Sequence, residues 1–406
     1  MTSAPGPETV EATVNALRRG SVDLVEDAKL EKRVRDLAAK GRPLRLKFGM
    51  DPSSADLHLG HAIPLFKLRD LQDLGHQVVL IVGDATAMVG DPSGRSKLRP
   101  VLTREQVEAN LVTYTEQAGR VLDMERTEVR RNSEWFDSMG FEGLLDLTTR
   151  MTVAQMIERD TFQTRMQAGE PVGVNEFLYP LMQAWDSVQV QADIEFGGTD
   201  QLFNLLQGRR LQEQEKQAPQ LVVTTPLING LDGRKMSKSY GNAVGLLDSA
   251  REMTFALMRL DDGEMATWFT QLTRLPEAEI SELLTGHPRA AKARLAHEVT
   301  SFFHGADEAG AAALAFDREV RDKALPDDIP EHTWAEDWGE SQPLAILLKA
   351  LGLVQSTSEG RRMVSQGAVR LDGEVQSGDP MQGVERVTAV RLVQVGKKRF
   401  GRLGPG

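Results

Sequence analysis

Two short segments hold the side chains best suited to phosphate chemistry. His58-Leu59-Gly60-His61 sets two of the chain's seven histidines three residues apart, where a strand-ending loop turns into a helix. The loop Gly49-Met50-Asp51-Pro52-Ser53-Ser54 carries the turn residues to feed that helix. Free N–H groups at a helix start, the positive end of its dipole and two imidazoles together make an anion site. Gly60 leaves the backbone open to close approach. Pro64, which lacks an N–H, fits a helix beginning near Gly60. Alone, the histidine pair also fits solvated surface residues, half of a metal site, or a nucleotidyltransferase. The chain has no cysteine and no third ligand at useful spacing, so no metal site is assigned. The second segment, Lys235-Met236-Ser237-Lys238-Ser239, follows the turn Gly230-Leu231-Asp232-Gly233. Two lysines three apart on a glycine-tethered loop can close over a triphosphate, where they would offset the charge building on leaving pyrophosphate. A solvated basic loop is the plain alternative.

A third group lies on one predicted helix, 175–187. Tyr179, Gln183 and Asp186 stand at i, i+4 and i+7, hence on one face, while Phe177, Leu178, Leu181, Met182 and Trp185 make the rest apolar. Polar groups turned toward an apolar interior are expected where something polar binds; the alternative is a wet face.

These residues need a scaffold. Leu44 to Met50 alternates like a strand, and Gln77 to Val82 is the continuous apolar run of a strand buried in a parallel sheet. His61 to Leu74 reads as the helix between them. Residues 1–40 read as helices; others are predicted near 103–122, 153–168 and 175–187, with apolar runs at 188–196 and 221–228. The alternation predicts an α/β fold: a Rossmann-like, doubly wound parallel sheet over 1–240, with an inserted helical connective segment at about 95–180. The loops after Met50, Val82 and Phe196 should then surround one crevice. Residues 241–325 read as an all-α domain, 326–342 as an acidic linker, and 343–406 as a small α+β module.

The net charge of −11 argues against a polyanion partner until its distribution is read. Pro343 to Gly406 carries 10 Lys and Arg against 5 Asp and Glu, leaving −16 for the remainder. A basic tail on an acidic body suits contact with a phosphate backbone; chance clustering on a solvated face is the alternative. The absence of cysteine fits a reducing compartment. Residues 1–20 lack the apolar core of a secretory signal, and no apolar run is long enough for a bilayer, so a cytoplasmic protein without a membrane partner is expected.

Taken together, the two phosphate motifs resemble the HIGH and KMSKS signatures of class I aminoacyl-tRNA synthetases. Nearly the whole chain resembles the bacterial tyrosyl-tRNA synthetases, through Lys47-Phe48-Gly49-Met50-Asp51-Pro52, Gly90-Asp91-Pro92-Ser93-Gly94-Arg95, Asn132-Ser133-Glu134-Trp135, Tyr179-Pro180-Leu181-Met182-Gln183-Ala184-Trp185-Asp186 and Gly197-Gly198-Thr199-Asp200-Gln201. The resemblance implies activation of tyrosine by ATP with Mg²⁺, transfer to tRNA(Tyr), and a homodimer. His58, His61, Lys235 and Lys238 would be catalytic. Asp51, Gly60, Gly198, Asp200, Met236, Ser237 and Ser239 would contact ATP or the adenylate. Asp186 would accept from the substrate phenol; Tyr179, Gln183 and Asp91 would hold its ammonium, and Gln201 its carboxylate end. Lys47 is also assigned to the tyrosine-binding residues: it stands where another branch of the family has a tyrosine touching the phenol, so Asp186 needs a different partner here. Ala85, Ala87 and Trp185 also depart from the usual residues and bear on fine substrate preference.

The C-terminal segment is similar to a small RNA-binding module shared with a ribosomal protein, and Arg361, Arg362 and Arg370 are its implied phosphate contacts. The resemblance implies that the helical domain 241–325 recognises the anticodon; there Arg289, Lys292 and Arg294 could contact RNA phosphates or serve as surface ion pairs. Two rival functions remain: a tryptophanyl-tRNA synthetase, which shares both signatures, and a non-catalytic RNA-binding paralogue. The Gly197-to-Gln201 segment and the Gln183/Asp186 spacing count against the first, and the intact histidines and lysines against the second.

Overall fold

The structure, a computed structural model, describes residues 7–52, 56–93, 102–236, 240–321, 329–396 and 399–406. The chain divides into two compact units, Met1–Phe316 and Asp317–Gly406.

The first unit is built on six strands: β1 (Leu24–Val25), β2 (Arg45–Met50), β3 (Gln77–Val82), β4 (Thr127–Arg131), β5 (Ile194–Gly198) and β6 (Leu221–Thr225), in the order β1-β6-β5-β2-β3-β4. All pair in parallel except the short β1, antiparallel to β6. The chain winds outward from β2 through β3 to β4, then returns to lay β5 on the other side of β2. That reversal makes a switch point between β2 and β5, and ligands of such sheets sit beyond the strands' carboxyl ends there. The doubly wound α/β architecture is the expected one.

Helices α1 (Pro7–Arg18), α2 (Asp27–Ala39), α3 (Leu59–Asp73), α4 (Asp84–Ala87) and α5 (Arg104–Ala118) connect the early strands. Thr103 caps α5 reciprocally with Gln106: each side chain accepts from the other's backbone N–H, at 3.0 and 3.3 Å. Lys67, buried on α3, donates to the carbonyls of Ala16 (2.8 Å) and Leu17 (3.2 Å) and so fastens the end of α1. Burial pulls its pKa down to about 8. Helices α6 (Ser133–Thr149), α7 (Val153–Ile157), α8 (Asp160–Gln167) and α9 (Leu178–Gln189) lie between β4 and β5, and α10 (Leu202–Gln214) between β5 and β6.

Several expectations need correction. The segment read as a helical insertion at 95–180 contains β4, a full strand of the main sheet. Its sequence, Thr127-Glu128-Val129-Arg130-Arg131, is that of an edge strand, whose open side takes charged residues and hides the apolar pattern. The apolar run 188–196 is split, because α9 continues to Gln189 and β5 begins only at Ile194. Pro64 lies inside α3 rather than in its first turn, where it cannot donate to the carbonyl of Gly60 four residues back. Helices α11 (Ala250–Leu257), α12 (Met265–Leu272), α13 (Glu277–Thr285), α14 (Pro288–His304) and α15 (Ala306–Phe316) fall in the first unit, not in a separate domain. Trp268, Phe269 and Leu295 share one apolar core with Leu46, Leu65 and Phe196, and the rings of Phe66 and Phe302 lie 4.4 Å apart.

In the second unit β7 (Glu331–Thr333), β8 (Ser341–Pro343), β9 (Val369–Leu371), β10 (Glu374–Gln376), β11 (Gly383–Glu385), β12 (Arg391–Val395) and β13 (Arg399–Gly404) form sheets of order β10-β9-β12-β13-β7 and β11-β8. Helices α16 (Leu344–Ala350) and α17 (Thr357–Ser365) complete it. Its core joins Trp334, Leu344, Leu348, Val369, Val393 and Leu403. The stretch 326–342 is therefore not a linker throughout: residues 329–342 supply β7, β8 and the core residue Trp334. Acidic side chains there mark outward-facing positions, which composition alone does not separate from a linker.

Candidate active site

The His58 motif opens α3 immediately beyond β2. The N–H of His58 donates to Nδ1 of His61 at 3.2 Å, which leaves the proton of a neutral His61 ring on Nε2. The two rings stack with centroids 3.8 Å apart. A methyl group at Gly60 would stand 3.1 Å from the His58 ring and 3.3 Å from the sulfur of Met236. Glycine there lets the lysine-bearing loop lie directly against the histidine motif, although 175 residues separate Gly60 from Lys235. The bridge between His58 and Gly245 and the bond from Leu59 N–H to Val244 O (2.9 Å) fix the same approach.

The loop itself is braced at its base. Asn229 bridges to Lys235, and the Asn242 amide donates to Asp232 (2.8 Å) and to the carbonyl of Lys235 (3.2 Å). Met236 is buried and Lys235 is exposed. Ser237, Lys238 and Ser239 lie outside the described residues.

Beyond β2, β3 and β5 the expected small-molecule residues meet. Asp51 accepts from the Tyr179 hydroxyl and from Thr86, each at 2.8 Å. A Cβ at Gly83 would stand 2.1 Å from the Asp51 carboxylate, so a side chain at the end of β3 would break this cluster. Gln201 donates to Asp91 at 2.8 Å, and Asn204 donates to both Gln183 and Gln201 at 2.9 Å. Gly198 ends β5, and Asp200 follows in the turn Thr199–Gln201. Loss of solvation and then the nearby Asp91 push the Asp200 carboxyl above its usual range, while Lys235 and Arg159 pull it back. Arg159, 4% exposed, reaches Ser93 and lies 3.9 Å from Asp91.

Asp186 is buried, 3% exposed. The Trp135 indole N–H donates to one carboxylate oxygen at 3.0 Å, and the Asn132 amide approaches the other at 3.4 Å. Burial pushes the Asp186 pKa up to about 7 against the pull of Lys47, Trp135 and Asn132. The partner that Asp186 needed is thus Trp135. The assignment of Lys47 to the tyrosine-binding residues needs correction: fully buried on β2, it gives its three donors to the Gln183 carbonyl (2.7 Å), Ser187 (2.7 Å) and Glu195 (2.8 Å), with none left for a substrate. Sequence reading had Asn132 and Trp135 in hand as a motif without a role, and missed Thr86, Asn204, Arg159 and Glu195. Ala85 and Ala87 are buried in α4, and Trp185 packs with Phe136 in the apolar clusters beside α6.

In the second unit Arg361 and Arg362 are exposed on α17, and Arg370 is exposed on β9, donating to Gly373 O at 2.9 Å. On α14, Lys292 pairs with Asp262, and Arg294 with Glu279 (3.2 Å) and Glu298 (3.1 Å); both therefore belong to surface ion pairs.

Most of the chain matches known proteins. Residues 39–320 match the model of the class I tRNA synthetases (W and Y), and residues 342–377 match the S4 domain. The chain is 47% identical over 392 residues to the tyrosine–tRNA ligase of Ralstonia nicotianae, covering 95% of this chain and 98% of that protein. It is 45% identical over 405 residues to the tyrosine–tRNA ligase of Thermotoga maritima, with 98% of each covered. Among solved structures, a C-terminally truncated mitochondrial tyrosyl-tRNA synthetase from Aspergillus nidulans superposes with a TM-score of 0.62 at 25% identity, over 75% of this chain and 93% of that one. The tyrosyl-tRNA synthetase of Archaeoglobus fulgidus, at a TM-score of 0.58 and 20% identity over 75% of this chain and 99% of that one, shares the fold. The chain belongs to the class I aminoacyl-tRNA synthetases and, within them, to the bacterial tyrosine–tRNA ligases.

Proposed function

We propose that this protein activates tyrosine with ATP and transfers it to the terminal adenosine of tRNA(Tyr). The observation that carries the choice of tyrosine is the buried Asp186 carboxylate, held by Trp135 and Asn132 in the same crevice as the histidine motif. A buried acceptor left unpaired by phenylalanine costs far more than a lost apolar contact; a tyrosyl enzyme is the standard illustration of that discrimination. The rival tryptophanyl and non-catalytic readings are not favoured.

In the first step the tyrosine carboxylate attacks the α-phosphorus of ATP in line, and pyrophosphate leaves. A ribose hydroxyl of the tRNA then takes the acyl group. No protein nucleophile is needed, so rate comes from positioning and from charge stabilisation. His58 and His61 would serve the phosphates from the start of α3, with Gly60 and Met236 at the contact of the two motifs. Lys235, Lys238, Ser237 and Ser239 would close from the loop. Mg²⁺ is part of the nucleotide substrate here, arriving on the phosphates. Asp51, Gly198 and Asp200 would hold the adenosine; Asp91, Tyr179 and Gln183 the substrate ammonium, and Gln201 its carboxylate end.

Arg361, Arg362 and Arg370 would meet the tRNA backbone, as suits exposed cations in a module of the S4 kind. A homodimer working in the cytoplasm accords with the family, and among the described residues no helix is long and apolar enough to cross a membrane. ATP–pyrophosphate exchange with tyrosine, tryptophan and phenylalanine as separate substrates tests the reading. Exchange should be driven by tyrosine; a preference for either other amino acid, or no exchange at all, would overturn it.

A further inference from the structure

Lys47 and Glu195 are opposed across the two strands that meet at the switch point, and both are sealed from solvent, 0% and 1% exposed. An ammonium has three donors and no acceptor, and each donor of Lys47 already has a target. Two of those targets, Gln183 O and Ser187 Oγ, flank Asp186 on α9. The third, Glu195 Oε1, also accepts from the Gln183 side-chain amide at 3.2 Å. The other Glu195 oxygen accepts from Ser187 at 3.1 Å and from Gln220. One ion pair therefore grips the turn of α9 that bears both Asp186 and Gln183, from the strand side, without a donor left over.

We propose that the Lys47–Glu195 pair is the positioning unit of the amino-acid pocket: it sets Gln183 at the ammonium end and Asp186 at the phenol end together, without touching the substrate. This rests on reading Asp186 as the acceptor of the phenol. The ammonium also lowers the pKa of Asp186 against the effect of its burial, and Glu195 raises it. These are the two charged groups that face Asp186, Lys47 from β2 and Glu195 from β5; the groups facing it from α6 and its N-terminal flank, Trp135 and Asn132, are neutral.

The test uses the full-length protein in ATP–pyrophosphate exchange with tyrosine and phenylalanine across pH. Lys47→Met should move the acid limb of kcat/KM for tyrosine to higher pH, because the remaining Glu195 charge disfavours the Asp186 carboxylate. Glu195→Gln should move it to lower pH. Shifts in the same direction, or none, would overturn the proposal. Either single change leaves a buried charge unpaired and can prevent folding, so Lys47→Met/Glu195→Gln is the decisive variant. With both charges gone it should fold, raise the KM for tyrosine about tenfold with kcat largely kept, and narrow the tyrosine-to-phenylalanine ratio. A double variant with the parent KM and ratio would make the pair structural only. Asp186→Asn separates the two levels. If it keeps both the tyrosine preference and the acid limb, the reading of Asp186 itself fails; if it loses both while the pair variants behave as the parent, only the positioning role fails.

Discussion

The two ends of the crevice are built on different principles. At the end proposed for the substrate phenol, Asp186, Trp135, Lys47 and Glu195 are all nine-tenths buried or more, and Asp186 and Lys47 are held by named neighbours. At the end proposed for the phosphates, His58 and His61 stand half-buried at a helix start and Lys235 is exposed on a loop. Selection needs a carboxylate fixed before substrate arrives, because an acceptor that could relax into water would not penalise phenylalanine. Charge stabilisation of a leaving pyrophosphate needs groups that can reach in and withdraw, which suits a braced loop closing on a rigid helix terminus.

Breaking the phosphate end should have the largest effect. Lys235→Ala with Lys238→Ala should lower tyrosyl-adenylate formation by about 10²-fold or more, read by stopped-flow or pyrophosphate exchange, with the tyrosine preference intact. A rate within about threefold of the parent would show that the loop has no such role.

The phenol end should respond to pH in a way the phosphate end does not. In the proposed role Asp186 accepts from the phenol most strongly as the carboxylate, and its pKa is raised to about 7. As pH falls through 7 the carboxyl protonates, so kcat/KM for tyrosine should drop, approaching about tenfold per unit well below it. The value for phenylalanine, which makes no such bond, should stay flat; parallel profiles would break the distinction between the two ends.

A smaller change sharpens the same contrast. Trp135→Phe keeps a ring in the apolar cluster with Val79 and Ile81 but removes the indole donor to Asp186. It should cost tyrosine about tenfold in kcat/KM and phenylalanine almost nothing. Equal losses would assign Trp135 to packing alone.

The smallest effect is expected in the second unit. Arg361→Ala with Arg362→Ala should leave pyrophosphate exchange unchanged and weaken tRNA charging a few-fold. The slope of log affinity against log salt should fall by about 2. An unchanged slope would remove these arginines from the RNA contact.

How much of this was legible beforehand varied with the kind of signal. The strand β3 was read at its true limits because a fully buried strand is apolar throughout. Two strands of the sheet escape the sequence reading: β1, only two residues long within a stretch read as helices, and β4, because an edge strand carries Glu128, Arg130 and Arg131. The acidic stretch 326–342 looked like a linker because composition reports solvent exposure, not pairing; register with β13 makes 331–333 a strand. Within the site, motif spacing marked the histidines, the lysines, Tyr179, Gln183 and Asp186. It gave Asn132 and Trp135 no role, and Thr86, Asn204 and Glu195 carry no periodicity of their own.

By itself the sequence determined the chemistry: two phosphate motifs, a polar helix face and a basic C-terminal module are local patterns, written in residues within a turn or two of one another. Tertiary structure alone decided which groups act as pairs. The contact of Gly60 with Met236, the bond of Trp135 to Asp186, and the opposition of Lys47 and Glu195 span from 51 to 176 residues of chain. They exist because the sheet reverses its winding between β2 and β5, and no spacing along the sequence encodes that reversal.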